Sequence, residues 1–252
     1  MRQRDDTEKF STETELCAAF IEWFAQYDGW TVYPETHGWD ILLAHADGTQ
    51  IGVQAKLKFN MKVLSQTIAG WRDWHDTGPD FRSILVPIET GPDPELCSAL
   101  GIGVFTGRKY APTNHQPERF AFEPDINSRQ SLYRTWHYTN PAKRHELPRY
   151  VPDVAAGASA PTSLTRWKIA ALEIAAILEL RGYVTRSDFK LAGIDHRRWT
   201  ELWLEPDLKS GAWRANAKMP NFAAQHPVVY PQVLADMRGK VTTADGLLTC
   251  SP

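Results

Sequence analysis

Asp40, Gln54 and Lys56 close the ends of two otherwise apolar runs, Ile41-Leu42-Leu43-Ala44 and Ile51-Gly52-Val53. Burying or half-burying an ionisable group is costly, so an acid opening one strand and Gln-x-Lys closing the next ask for a role. A carboxylate and an amide oxygen are hard donors of the kind a divalent cation takes. A neighbouring ammonium balances charge that develops in a reaction. Together they could support metal-assisted hydrolysis of a phosphodiester.

Whether these side chains meet depends on the loop that joins the strands. A two-residue turn at Asp47-Gly48 pairs Asp40 with Ala55 and leaves the acid facing away from Gln54 and Lys56. A three-residue loop, Ala46-Asp47-Gly48 with Gly48 at positive φ, pairs Asp40 with Gln54. The second arrangement also gathers Ile41, Leu43, Ile51 and Val53 on one face, as period-two alternation requires. We therefore expect the three-residue loop, with Asp40, Gln54 and Lys56 at one end of the opposite face.

The elements around the hairpin follow from periodicity. Ser11 to Tyr27 reads as a helix capped by Ser11, with Glu13 and Glu15 at its positive end and Leu16, Phe20, Trp23 and Phe24 as its apolar stripe. Trp30 to Glu35 reads as a strand, and Met61 to His75 as a second helix bearing Gln66. Strands over Arg82–Ile88 and Ile102–Phe105, split by a short helix at Pro94–Leu100, predict an α/β layer with a parallel pair. Residues 107–163 read as an irregular extension that passes into a linker over 151–163.

A second, mainly helical unit is expected over 164–240. Thr165 to Arg181 forms a helix stopped by Gly182, Thr185 caps the next with Asp188 at its third position, and Gly193 makes the turn. Asp195 then caps a third helix that begins His196-Arg197-Arg198. Three helices with a glycine turn before the last match a helix-turn-helix, whose Arg197 and Arg198 would face DNA. Gly211–Arg214 and Val228–Tyr230 are expected as strands of a wing, and residues 241–252 as a frayed tail.

Composition bounds the rest. Net charge is −2, 42% of residues are hydrophobic and 23% charged, the balance of an ordinary globular protein. Residues 108–149 nevertheless carry eight Lys/Arg against four Asp/Glu, and residues 160–252 twelve against nine. Mildly basic segments after an acidic beginning suit a metal site beside a polyanion-binding surface. The absence of a run of about 18 apolar residues and the polar start point to a cytoplasmic protein without a membrane span. Cys17, Cys97 and Cys250 lack the spacing of a disulfide framework or structural zinc site. No Walker-type loop, GxSxG or HExxH is present.

Taken in order, Glu13 on the first helix, Asp40 at a strand start, Gln54-Ala55-Lys56 and Gln66 on the next helix resemble the PD-(D/E)XK nuclease superfamily. The likeness covers roughly residues 10–106 and includes Leu100-Gly101-Ile102-Gly103-Val104, which is similar to a later core strand of such domains. It implies a restriction-endonuclease-like mixed sheet flanked by helices over 1–150, followed by a winged helix-turn-helix. The implied activity is a Mg²⁺-dependent DNA endonuclease, with Mn²⁺ as a substitute. A catalytically silent DNA-binding protein on the same fold, acting as a regulator or accessory subunit, is the alternative. The implied metal ligands are Asp40, Gln54, the Ala55 carbonyl, Glu13 and Glu35, with Lys56 activating water. Gln66, Lys58, Arg197 and Arg198 would contact DNA, and double-strand cleavage would imply a homodimer. Gln54 stands where the family also uses Glu. A carboxylate lost about 4 Å from the ion removes on the order of 4 kcal/mol per unit ion charge at an effective dielectric of about 20, before allowing for the amide's easier desolvation. Weaker metal binding is expected, not none.

Overall fold

The computed structural model describes residues 7–71, 77–113, 116–126, 136–157, 164–207 and 211–241. The chain divides into two compact units, one of Met1–Pro148 with Val154–Ser163 and one of Arg149–Asp153 with Leu164–Pro252. The segment read as a linker, 151–163, is thus shared between them, and the expected frayed tail lies outside the described residues beyond Val241.

The first unit is an α/β layer around a mixed sheet. Its elements are β1 (Thr7–Glu8), α1 (Glu13–Phe24), β2 (Trp30–Thr36), β3 (Trp39–His45), β4 (Gln50–Ala55), α2 (Met61–Ile68), β5 (Phe81–Pro87), α3 (Pro94–Ala99), β6 (Gly103–Tyr110) and β7 (Arg119–Glu123). The strand order is β1-β6-β5-β4-β3-β2, with β7 also paired to β6. β2, β3 and β4 run antiparallel, whereas β4, β5 and β6 are parallel and are joined through α2 and α3. A parallel step needs a crossover, so the helices follow from the topology.

Both faces of the sheet are covered. Leu16, Phe20 and Phe24 of α1 pack on Ile41, Leu43, Ile51, Val53, Leu85 and Phe105. On the other face Val63 and Leu64 of α2 meet Ile84, Val86, Cys97 and Ile102. β5 therefore buries alternate residues on opposite sides, which is why its sequence is a continuous apolar run. Each such aliphatic side chain contributes about 1.5–3 kcal/mol of burial.

Three boundaries differ from the sequence expectation. The α1 cap is Thr12, not Ser11: the Thr12 hydroxyl accepts the Glu15 N–H at 3.0 Å, while Glu15 accepts the Ser11 N–H at 2.6 Å. The helix ends at Phe24, and α2 ends at Ile68 instead of His75. Gly70 follows at φ 69, and the buried Arg82 guanidinium donates to the carbonyls of Thr67 and Ala69 at 2.9 and 2.7 Å. A cation at a helix C-terminus satisfies orphan carbonyls and opposes the dipole. Residues 107–163 are also not uniformly irregular, because β6 runs on to Tyr110 and pairs with β7 from Tyr110↔Arg119 to Thr106↔Glu123.

The second unit comprises α4 (Arg166–Arg181), α5 (Arg186–Ala192), α6 (Arg197–Leu202), β8 (Leu204–Asp207), β9 (Ala212–Ala215), α7 (Phe222–Gln225) and α8 (Val229–Arg238). Gly182 ends α4 at φ 83, a Thr185–Asp188 capping box opens α5, and Gly193 turns at φ 70. The fully buried Trp199 packs against Phe189 and stacks on Phe222. A two-stranded hairpin follows α6, in which the partner of Ala212–Ala215 is Leu204–Asp207 and not the expected Val228–Tyr230. Those residues open α8 because the Asp153 carboxylate accepts the N–H groups of Val228 and Val229 at 3.1 and 3.0 Å. Val229, Val233 and Met237 then recur every four residues along the buried face. No helix among the described residues is long and apolar enough to cross a membrane.

Gly52 sets how closely Trp39 lies on the sheet, since a Cβ added there would sit 2.4 Å from the indole. Gly52→Ala should lower stability by about 1–3 kcal/mol through overpacking, read as a lower urea midpoint at unchanged slope.

Candidate active site

The β3–β4 hairpin has the three-residue loop. The pairs Ile41↔Val53, Leu42↔Gly52 and Leu43↔Ile51 define the ladder. The His45 N–H donates to the Thr49 carbonyl at 2.8 Å, and the Gly48 N–H to the His45 carbonyl at 2.9 Å. Gly48 takes φ 91, a value that side chains rarely adopt, and Asp47 accepts the Thr49 N–H at 2.8 Å. This register sets Asp40 opposite Gln54, one step past the last ladder pair.

At that end of the hairpin the predicted acids and the lysine converge. The Asp40 Oδ2 accepts the N–H of Ala55, the last residue of β4, at 2.7 Å. The Lys56 ammonium reaches Oε2 of Glu13 in the first turn of α1 at 2.5 Å. Cys17 lies one turn further along α1 and is fully buried. Burial holds its thiol well above the usual range, Asp40, Glu35 and Glu13 push it further in that order, and Lys56 opposes them. Four ionisable groups from α1, β2, β3 and the end of β4 thus lie within electrostatic reach of one sulfur.

Asp40 is under tension as an anion. Burial raises its pKa above the ordinary carboxylate range and Glu13 pushes the same way, while the Ala55 N–H and Lys56 pull it down. Oδ1 of Asp40 and Oε1 of Glu13 accept no hydrogen bond among the described residues. Half-buried like charges with free oxygens gain most from a hard cation, so the donor chemistry fits Mg²⁺. Among the described residues no group of three or more His, Cys, Asp or Glu side chains is gathered as a metal cage. The set here is two carboxylates, Asp40 and Glu13, which suits an ion that keeps several waters.

The remaining predicted residues are placed as follows. Glu35 accepts the Gly157 N–H at 2.7 Å. Gln54 is buried and its Nε2 donates to the Gly38 carbonyl at 2.7 Å. Lys58 and Gln66 are exposed, after β4 and on α2. Arg197 and Arg198 are exposed at the start of α6, in the second unit; Arg198 lies 5.7 Å from the ring centre of Trp167 and 5.6 Å from that of Trp203.

Sequence reading missed the residues that hold the acids in place. A Cβ on Gly157, at φ 73, would come within 3.1 Å of Cys17 Sγ and of the Glu13 backbone, and Thr14 donates to the Gly157 carbonyl. The only local signal was a glycine in a small-residue run that resembled a tether. Compared with models of protein families, with curated proteins and with solved structures, the chain matches none.

Because folding raises the Asp40 pKa, the folded state holds its proton more tightly than the unfolded chain. Stability attributable to this group is therefore lost as pH rises through the window above about pH 4. Asp40→Asn keeps an acceptor for the Ala55 N–H and should raise the unfolding midpoint at pH 7.5 without added metal. That gain should vanish near pH 3, as followed by urea unfolding at both pH values.

Proposed function

We propose that the chain is a Mg²⁺-dependent DNA endonuclease, with a catalytic unit of the restriction-endonuclease-like kind and a winged helix-turn-helix that reads DNA. The observation that carries this reading is the Lys56–Glu13 pair beside a half-buried Asp40, at the end of a strand shared by an antiparallel hairpin and a parallel pair. Asp40, Glu13 and the main chain of Ala55 would hold the ion, and Mn²⁺ would substitute. When bound, the ion supplies polarisation of a phosphoryl oxygen and a more acidic water.

The chain's own groups do the rest. Lys56 presents an ammonium within reach of the acids, where it orients a water for attack and balances negative charge on the phosphoryl oxygens. Glu13 keeps that ammonium in place between turnovers, and the Ala55 N–H fixes the Asp40 carboxylate. Loss of one such electrostatic partner reduces turnover by about 10²–10³.

In the second unit the Gly193 turn, the exposed Arg197 and Arg198 and the β8–β9 hairpin support a DNA-reading role. Lys58 and Gln66 offer further backbone contacts on the catalytic unit. A catalytically silent DNA-binding protein is the second reading, and it is favoured by the engagement of the Gln54 amide with Gly38. Calorimetric titration with Mn²⁺ separates the two, since heat lost in Asp40→Ala belongs to the catalytic reading alone.

Two outcomes test the proposal. With Mg²⁺ or Mn²⁺ the protein should nick or cut methylated or unmethylated plasmid, and Lys56→Ala should reduce the rate by at least about 100-fold. No cleavage of either plasmid by folded protein would sink the catalytic claim. Arg197→Ala, which leaves the Trp167–Arg198–Trp203 packing intact, should weaken DNA binding and lower the slope of log K against log salt by about 1. An unchanged slope in a salt series would remove Arg197 from the interface.

A further inference from the structure

The turn that joins β2 to β3, immediately before Asp40, is held in an uncommon shape. Glu35 at φ 46 and His37 at φ 54 both occupy the left-handed region without being glycine, and Gly38 follows at φ 82. Such conformations persist only where surrounding structure over-determines them, and they concentrate at functional sites. Here the surroundings are explicit. Glu35 is tied to the Gly157 N–H, His37 Nε2 lies 2.6 Å from the Glu146 carbonyl, and the His37 ring stacks on His145 at 4.6 Å. The remaining clamp comes from the sheet itself, where Gln54 Nε2 donates to the Gly38 carbonyl at 2.7 Å.

We propose that Gln54 is a positioning residue that fixes this turn, and so the placement of Glu35 and Asp40, and that it is not a metal ligand. The proposal rests on the nuclease reading for what the turn positions, but the clamp itself is independent of it. Strand alternation places Gln54 on the side of Gly52, whose missing Cβ is filled by Trp39, and next to Ile84 in the ladder. Ile84 packs with α2, whereas Val53 and Ala55 face the α1 side that carries Glu13 and Cys17. The Gln54 amide is thereby directed at the Gly38 carbonyl in the turn. A carboxylate at this position has no hydrogen to donate, and would set a negative oxygen against the Gly38 carbonyl. The need for a donor accounts for glutamine at a position where glutamate would strengthen a metal site.

The test uses the full chain with Gln54→Glu and the near-isosteric Gln54→Met, the second keeping the question open should the first fail to fold. Hydrogen exchange across residues 35–39, Mn²⁺ titration and plasmid nicking are measured for each. Both variants should speed exchange across the turn by roughly tenfold, as expected for one lost buried hydrogen bond, and should weaken Mn²⁺ binding and nicking. Gln54→Glu that tightens Mn²⁺ binding, or turn exchange unchanged in both variants, would overturn the proposal. If wild-type protein neither binds Mn²⁺ nor nicks DNA, the nuclease reading fails, and the exchange rates alone decide whether Gln54 holds the turn.

Discussion

The N–H of Ala55 goes to the Asp40 carboxylate, and the next N–H, that of Lys56, goes to the Leu85 carbonyl at 3.0 Å. Two successive amides of one chain end thus point to different neighbours, one a side chain of β3 and the other the backbone of β5. This divergence is possible only because β4 has an antiparallel partner on one side and a parallel partner on the other. It delivers Lys56 beyond the sheet, where its ammonium meets Glu13 of α1. A register slip of one residue would exchange the two faces, sending Asp40 away from Ala55 and Ile41 out of the core. The loop at Gly48 and the apolar face of the hairpin therefore enforce the same register that the charged end requires.

That end works against the stability of the rest. Asp40 is costly as an anion in this partly dehydrated place, because burial and the neighbouring Glu13 both disfavour its charge while the Ala55 N–H and Lys56 offset only part of that cost. A fold built for stability alone would put an apolar or amide group at Asp40, as the core does one residue later with Ile41. Local rules broken at one place while the sheet around it obeys them mark the place where function is expected. The two non-glycine residues at positive φ in the turn before Asp40 belong to the same pattern.

Much of this was legible in the chain because it is local. The loop length follows from Ala46-Asp47-Gly48 together with the alternation of Ile41, Leu43, Ile51 and Val53. The order helix, strand, hairpin, helix and parallel strand was readable, as were the Thr185–Asp188 box and the Gly182 and Gly193 stops. What could not be read was set by partners distant in sequence. Gly157 binds Glu35 across 122 residues and Asp153 opens α8 across 76. Val228-Val229-Tyr230 has strand propensity, and only a carboxylate from another segment turns it into a helix start. Asp40, Glu13, Glu35 and Lys56 were identified by type and spacing, whereas the groups that fix them carry no catalytic signature.

The placement of Asp40 traces through an unbroken series of contacts into the arm that follows β7. Asp80 is fully buried and binds the Arg144 guanidinium at 2.8 Å while accepting the Gln50 N–H, also at 2.8 Å. Gln50, at the start of β4, exchanges two hydrogen bonds with the backbone of His145. His145 accepts the Trp39 indole N–H at 3.2 Å, and Trp39 lies on Gly52 and is bonded in sequence to Asp40. Glutamine amides therefore brace both ends of β4, Gln50 toward the arm and Gln54 toward the turn. Each link is buried or half-buried, so removing one partner leaves a polar group without compensation. The acid at the centre of the candidate site is thus joined to the arm by a lattice of hydrogen bonds that are neutral except at the Asp80–Arg144 pair.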